Sequence, residues 1–132
     1  MMRTRVLPLG EYVVGEALKH YLPKAVRVSL APPAGAPEGQ AVYVHRVGGV
    51  ARSPGQVDNG MYVFNLFAPS FREAAELGQA VRVSLYEAER DQFAAKDGRM
   101  GKVTEVAGPS PLPRENDGDP YTGYASYTII TR

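Results

Sequence analysis

The chain has 132 residues, of which 44% are hydrophobic and 22% are charged, with a formal net charge of +1 and no cysteine. Such a composition is typical of a globular protein with an ordinary hydrophobic core, and the length favours one domain over residues 1–132. The lack of cysteine excludes disulfides and thiolate chemistry, and the balanced, evenly spread charge gives no electrostatic footprint for nucleic acid.

The chain begins with a basic segment, residues 1–5, followed by an apolar run that Pro8 and Gly10 interrupt. A signal peptide or a membrane-spanning helix needs a longer apolar stretch, so we expect a protein that begins in a cytoplasm and contacts no membrane. Residues 10–22 then carry apolar side chains at helical spacing, and the proline that follows ends this first predicted helix.

Three strands are predicted next, separated by loops rich in proline and glycine. The strands are residues 25–30, 41–47 and 61–67, and the loops are residues 31–40 and 50–59. The third strand is apolar on both faces, so we expect it in the centre of a sheet with cover on both sides. The short links between the three strands allow antiparallel pairing.

The clearest local signal is a capping box at residues 70–73, where a serine can cap a helix and a glutamate can reach back to it. Apolar residues at steps of three and four predict a helix from Phe71 to about Ala88. The hexapeptide Ala-Val-Arg-Val-Ser-Leu occurs at residues 25–30 and again at residues 80–85. Prolines flank the first copy, whereas the second continues the capped stripe, so the first is predicted as strand and the second as helix.

The C-terminal part is predicted as a turn, two strands and a long loop between them. The turn is residues 96–98, the strands are residues 100–107 and 121–131, and the loop is residues 108–120, which holds four prolines. The order helix, three strands, helix, two strands predicts an α+β fold. We expect a mainly antiparallel sheet of about four to five strands packed against two helices as a single pair of layers.

The sequence offers few groups for chemistry. An acid–base pair of His45 and Asp58 beside Ser53 has no nucleophile-elbow pattern to fix it, and Gly48-Gly49 is interpreted as a turn because the spacing and lysine of a phosphate loop are absent. The acidic residues 115–119 lack the spacing of a calcium loop. We therefore predict no catalytic residues, no cofactor, no metal and no enzymatic activity; a small α+β enzyme that uses His45 is the alternative from another class.

The order and spacing of four sequence blocks resemble the tail terminator, or tail completion, proteins of long-tailed bacteriophages, especially those of actinobacterial phages. The blocks are the first helix with residues 26–28, residues 42–49, residues 64–85, and residues 103–110 with the proline-rich loop and the last tyrosine-rich strand. Together they cover most of the chain. No catalytic residues are known for this family, so the resemblance assigns none.

This resemblance implies a virion structural protein that closes into a ring, usually a hexamer, on the head-proximal end of the tail tube. Such a ring ends tube polymerisation and offers its other face to the head–neck connector, or stopper. The implied partners are other copies of the chain, the tail tube protein and the connector, with DNA passing through the lumen without sequence-specific binding. The implied place is the tail and neck of the virion, after assembly in the host cytoplasm. Another neck component, a head-closure or adaptor subunit, is the alternative.

A ring cap needs a lateral contact that closes and two unlike docking faces, and long loops on a rigid sheet suit that task. The candidate loops are residues 31–40, 50–60 and 108–120. The predicted interface contacts are charged or aromatic side chains in or beside the loops: Arg46, Arg52, Asp58, Arg99, Arg114 and Tyr121. Tyrosine is included because it buries area while it keeps a polar tip.

Overall fold

The structure is a computed structural model that describes residues 9–35, 37–52, 57–114 and 116–132, with residues 51 and 52 described by their backbone. The basic residues 1–5 and Ser53 lie outside the described residues. The elements, in chain order, are α1 (Gly10–Tyr21), β1 (Arg27–Ser29), β2 (Ala41–Arg52), β3 (Val57–Ala68), α2 (Phe71–Arg90), β4 (Ala94–Ala95), β5 (Gly98–Leu112) and β6 (Tyr121–Thr131). They confirm the predicted α+β class.

The strands form one six-stranded sheet in the order β1-β2-β3-β6-β5-β4. We expected at most five strands, and the additional one is the two-residue strand β4. All neighbours are antiparallel except β1 and β2, which pair in parallel. The sheet is therefore mainly antiparallel, as expected, and β1 is the exception. Parallel pairing requires the chain to return to the start of the next strand, and the proline-rich residues 30–40 are long enough for that return.

The third strand is central, as predicted, since β3 pairs with β2 on one side and with β6 on the other. Its burial alternates strictly, with Tyr62, Phe64 and Leu66 buried and the intervening residues half-buried. The expectation of cover on both faces is wrong, because both helices pack on the same face. On the other face the alternate residues of β3 are half-buried.

The loop predicted at residues 50–59 is mostly sheet. β2 continues through Gly48-Gly49 to Arg52, and β3 begins at Val57, with a bulge between Arg46 and Gly48. Gly48-Gly49 is therefore a strand irregularity, not the predicted turn. Glycine is needed at position 49 because φ is +139° there and a Cβ atom would lie 2.3 Å from the Asn59 carbonyl oxygen.

β5 also runs further than predicted, through Leu112 instead of ending at residue 107. The prolines that suggested a loop, Pro109 and Pro111, lie in this extension, where residues 110–112 pair with residues 122–124 of β6. Proline is tolerated on an edge strand where its missing N–H would point away from the sheet. The long loop is therefore shorter than predicted, and β6 begins at Tyr121 as expected.

The core lies between the sheet and the two helices. α1 buries Val13, Val14, Ala17 and Leu18 completely or almost completely, and it contacts both edge strands, β1 and β4. A helix can touch both edges of a six-stranded sheet only if the sheet curls strongly around it. α1 thus fills the concave side of the sheet.

α2 begins as its capping box predicts. The backbone N–H of Glu73 donates to the Ser70 hydroxyl, which in turn donates to the Glu73 carboxylate. The predicted stripe is buried from Ala74 to Ala88, whereas Phe71 is exposed. At Gly78 a Cβ atom would lie 2.6 Å from Cβ of Pro109, so this glycine lets α2 approach β5 closely.

One polar network joins α2 to the sheet. Arg82 donates two hydrogen bonds to the Glu105 carboxylate, at 2.8 and 3.3 Å, and the Tyr127 hydroxyl donates to the same group. These bonds lower the pKa of Glu105, with Arg82 as the largest cause. Burial, together with the nearby carboxylate, raises the pKa of Tyr127 to about 12.

We expect Glu105→Gln to lower stability at neutral pH and to lose its effect in acid. Since the folded-state pKa of Glu105 is lowered, the ionised carboxylate stabilises the fold above the unfolded pKa of about 4.3, and the contribution disappears as the pH falls through the folded value. Urea unfolding of both proteins between neutral and acidic pH measures this difference. A difference that grows on acidification would contradict the network.

A second prediction concerns Gly10, where a Cβ atom would lie 1.9 Å from the Tyr62 hydroxyl. Gly10→Ala should destabilise the protein by about 1–3 kcal/mol through overpacking, although the same change in an open helix position stabilises by about 1 kcal/mol. Tyr62→Phe should remove most of that cost, because the buried hydroxyl has no hydrogen-bond partner among the described residues. A double-mutant cycle by chemical denaturation tests this, and additive effects would contradict it.

Candidate interaction surfaces

The structure divides the six predicted contact residues between the two ends of the sheet. The hairpin end is where the β2–β3 hairpin meets the last residues of β6 and the first of β5, and it carries Arg46, Arg52, Asp58 and Arg99. The notch end is where α2 and β6 begin and β5 ends, and it carries Arg114 and Tyr121. Their roles as contacts stay predictions.

At the hairpin end, Arg46 and Asp58 bind each other. The guanidinium donates from Nη2 to Oδ1 at 2.7 Å and from Nε to Oδ2 at 3.1 Å. It also lies over the paired glycines Gly49 and Gly60, since a Cβ atom on either would come within 3 Å of it. The two glycines therefore leave room for the arginine, and the ion pair holds the bulged hairpin in register.

This ion pair is largely shielded from solvent. The Asp58 side chain is 6% exposed and that of Arg46 is 28% exposed. The bond to Asp58 is the main cause that raises the pKa of Arg46 above its usual value. The same acid, after burial, raises the pKa of Tyr62. The structure thus gives Arg46 and Asp58 a positioning role within the hairpin.

The pairing of His45 with Asp58, considered as an acid–base unit, does not occur. Asp58 lies on the buried, helix-covered face of β3, whereas His45 pairs with the half-buried Val63 on the opposite face. His45 stacks on Tyr43 with ring centroids 4.8 Å apart and an interplanar angle of 8°. Because successive side chains of a strand point to opposite faces, the side chains of His45 and Asp58 lie on opposite faces of the sheet.

The other two hairpin-end residues lie at strand termini. Arg52 is the last residue of β2 and pairs with Val57, and its side chain lies outside the described residues. Arg99 is exposed, and its backbone exchanges two hydrogen bonds with Arg132, at 2.7 and 3.0 Å. These bonds fix where β5 begins relative to the C-terminal residue.

At the notch end, Arg114 and Tyr121 come together with residues that the sequence reading missed. The Arg114 guanidinium lies 4.0 Å from the Tyr121 ring centroid and donates to the carbonyl oxygens of Asp117 and Asp119, which ties the loop to β6. Phe71 meets the same ring edge to face. With Leu112, these side chains and two prolines enclose a depression of about 270 Å³, which we call the notch.

Phe71 and Leu112 are the residues missed, and both are exposed, at 57% and 46%. Phe71 fits the apolar stripe of α2, so its spacing alone placed it in the core. Leu112 lies in a stretch whose prolines suggested a loop. The one sequence signal was the nearby prolines. Pro69 lies two residues before Phe71, and Pro111 and Pro113 flank Leu112.

A second concave surface lies at the opposite edge of the sheet. Residues 33–35, 37 and 38 line, together with β1 and β2, a groove of about 580 Å³ that Tyr43 and Phe67 also line. Arg27 donates to the Glu38 carbonyl oxygen at 2.7 Å and so fixes the end of this loop. Residues 31–35 are exposed.

The sheet face away from the helices is a third surface. Over β3 and β6 its residues are half-buried or buried and include no aspartate, glutamate, lysine or arginine. A strand face in contact with water is usually polar, and this face mixes polar residues such as Asn65 and Thr128 with the apolar Val63 and Phe67.

Among the described residues, no group of three or more histidine, aspartate or glutamate side chains converges to hold a metal ion. In the same part of the chain, no helix combines the length and apolar character that crossing a membrane requires.

Comparison with known proteins gives one family. A family model described as phage tail termination protein matches residues 6–119, which include both helices and every strand before β6. No curated protein sequence matches the chain. The match covers well over half of the chain and includes the hairpin, the notch residues on α2 and β5, and the proline-rich residues 31–40.

The hairpin ion pair predicts unequal costs for its two halves. Arg46→Met leaves the largely buried Asp58 carboxylate without its partner. It should lower the free energy of unfolding by about 3–5 kcal/mol, the range for breaking a buried pair. Asp58→Asn should cost less, because Arg46 is 28% exposed and can reach water. Equilibrium unfolding measures both values.

The matched control for this prediction is Arg72→Met on the surface of α2. Arg72 pairs with Glu76 at 3.2 Å, but the two side chains are 89% and 63% exposed. Its loss should therefore cost at most about 0.5 kcal/mol. If Arg46→Met is as mild as this control, the ion pair does not hold the hairpin.

Proposed function

We propose that this chain, which belongs to the phage tail termination protein family, caps the head-proximal end of the tail tube as a closed ring. Family membership gives the protein a structural role in the phage tail. The ring, its six-fold symmetry and its contacts with the tube and the head–neck connector are the proposal. In this role the protein ends tube polymerisation and then serves as the docking face for the connector.

The observation that carries the proposal is the separation of unlike surfaces on one rigid scaffold. The hairpin end presents a bulged β-hairpin and exposed Arg99, whereas the opposite end presents the exposed acidic residues Asp117 and Asp119 of the loop before β6. A cap must bind a tube ring on one side and a different protein on the other. Two chemically distinct ends meet that requirement, and contacts that repeat head to tail can close a ring.

The nearly balanced charge of the chain is suited to a ring through which DNA passes without sequence-specific binding. Fifteen lysine and arginine residues nearly balance fourteen aspartate and glutamate residues. Affinity for DNA comes largely from neutralising phosphates, so a balanced subunit should hold passing DNA weakly. We propose that assembly takes place in the host cytoplasm and that the finished ring lies in the tail and neck of the virion.

The test is the length of tails made without this protein. Cells infected with phage that lack the gene should contain tubes far longer than normal and few joined virions, because nothing stops polymerisation. Electron microscopy of the lysates measures tube length, and supplying the wild-type chain from a plasmid should restore it.

The control is a phage that lacks a head protein, which should make tails of normal length without heads. Tails of normal length that fail to join heads in the test phage would identify a later neck component instead. Normal, infectious virions would overturn a structural role at this position.

A further inference from the structure

Two surfaces with complementary chemistry lie on opposite edges of the same sheet. The exposed proline-rich residues 31–35 flank β1 at one edge, and the notch lies beside β5 near the other. Between β1 and β5 there are four strand spacings, or about 19 Å measured along the sheet. Within one subunit Pro33, Ala34 and Gly35 line the groove beside β1 and β2, and none of them lines the notch.

The notch has the chemistry that binds a short proline-rich segment. Aromatic and proline side chains line it, and grooves of this type accept extended proline-containing peptides, whose backbone is already ordered before binding. Its volume of about 270 Å³ lies just below the range of about 300–1,000 Å³ usual for small-molecule pockets. A few side chains of another protein fit this space better than a cofactor.

The loop has the matching features. Its sequence, Ala-Pro-Pro-Ala-Gly, is exposed throughout residues 31–35 and carries no charge. Proline segments rise about 3.1 Å per residue in an extended helix, so neighbouring prolines can enter one small depression together. The exposed Glu38 follows the loop and Arg114 lines the notch, so one acidic side chain of the first surface can approach one basic side chain of the second.

We propose that residues 31–35 of one subunit seat in the notch of the next subunit, formed by Phe71, Leu112, Pro113 and Tyr121. The inference rests on the proposed ring and names its lateral contact. Glu38 of the first subunit faces Arg114 of the second. Because the donor and the acceptor surfaces lie at different edges, each subunit uses one of each, and the contact repeats in one direction until the ring closes.

The edge beside the notch also explains why side chains make this contact instead of strand pairing. Pro109 and Pro111 lie in the part of β5 that extends beyond its pairing with β4, so this stretch is an open edge of the sheet. Their missing N–H groups weaken the outer edge of β5 as a template for another strand. A neighbouring subunit therefore meets a surface of rings and aliphatic groups at this edge.

Cysteine cross-linking tests the contact directly, since the chain has no cysteine of its own. Ala34→Cys leaves the prolines of the loop in place, and Leu112→Cys places a thiol in the notch. Cells infected with phage lacking the gene would express the two single-cysteine chains together, and tails would be purified and oxidised. A disulfide requires Cα atoms closer than about 7 Å, so a mixed dimer forms only if residue 34 reaches residue 112 of another subunit.

The matched control replaces Leu112→Cys by Val106→Cys. Val106 is on the same strand and is 53% exposed, against 46% for Leu112, but it lies about 20 Å further along the strand. The 34–112 pair should give at least about tenfold more dimer than the 34–106 pair, because a seated contact raises the effective concentration of the thiols.

The outcomes separate this inference from the proposed function. Tails that contain the protein but yield equal dimer from both pairs, or none from the 34–112 pair, would overturn the lateral contact alone. Tails that contain none of the protein would overturn the proposed function and the contact with it. A Leu112→Asp chain that folds as judged by circular dichroism should fail to restore tail length, whereas Val106→Asp should restore it.

Discussion

A curled sheet has to fill its concave side, and α1 fills it. Val13, Val14, Ala17 and Leu18 of this helix lie in the centre of the core, and both edge strands touch it. α2 covers the rest of the same face along β3, β6 and β5. Because both helices occupy one face, the ends of the strands and the other face of the sheet are left for contacts with partners, and every candidate surface follows from that division.

The two edges of the sheet are unequal, and the difference gives the subunit a direction. One edge carries β1 and the exposed proline-rich residues 31–35, and the other carries β5 with Pro109 and Pro111 beside the notch. A symmetric pair of edges would favour a dimer, whereas unlike edges favour head-to-tail repetition. Unlike edges are therefore compatible with the repeated lateral contact that we propose.

Some of the predicted contact residues pair within the subunit and others lie on a surface, and strand register decides between the two. Arg46 and Asp58 were chosen as charges near a loop, but the loop is sheet, and its two glycines bring the pair together inside the hairpin. Arg114 and Tyr121 do lie on a surface, where they meet Phe71 and Leu112. A sequence gives the charge of each residue, but the partner of a charge depends on strand register, which local patterns do not encode.

By itself the sequence determined the local elements: the capping box of α2, the helical stripe, the limits of β6 and the α+β class follow from periodicity and turn residues. The hexapeptide present twice shows the boundary of such reasoning, since it is strand near residues 25–30 and helix at residues 80–85, as its flanks predicted. Only the tertiary structure decided the parallel pairing of β1, the extension of β2, β3 and β5 through glycine and proline, and the notch. These features arise from contacts between residues distant in sequence, where a neighbouring strand or an arginine over two glycines outweighs local propensity.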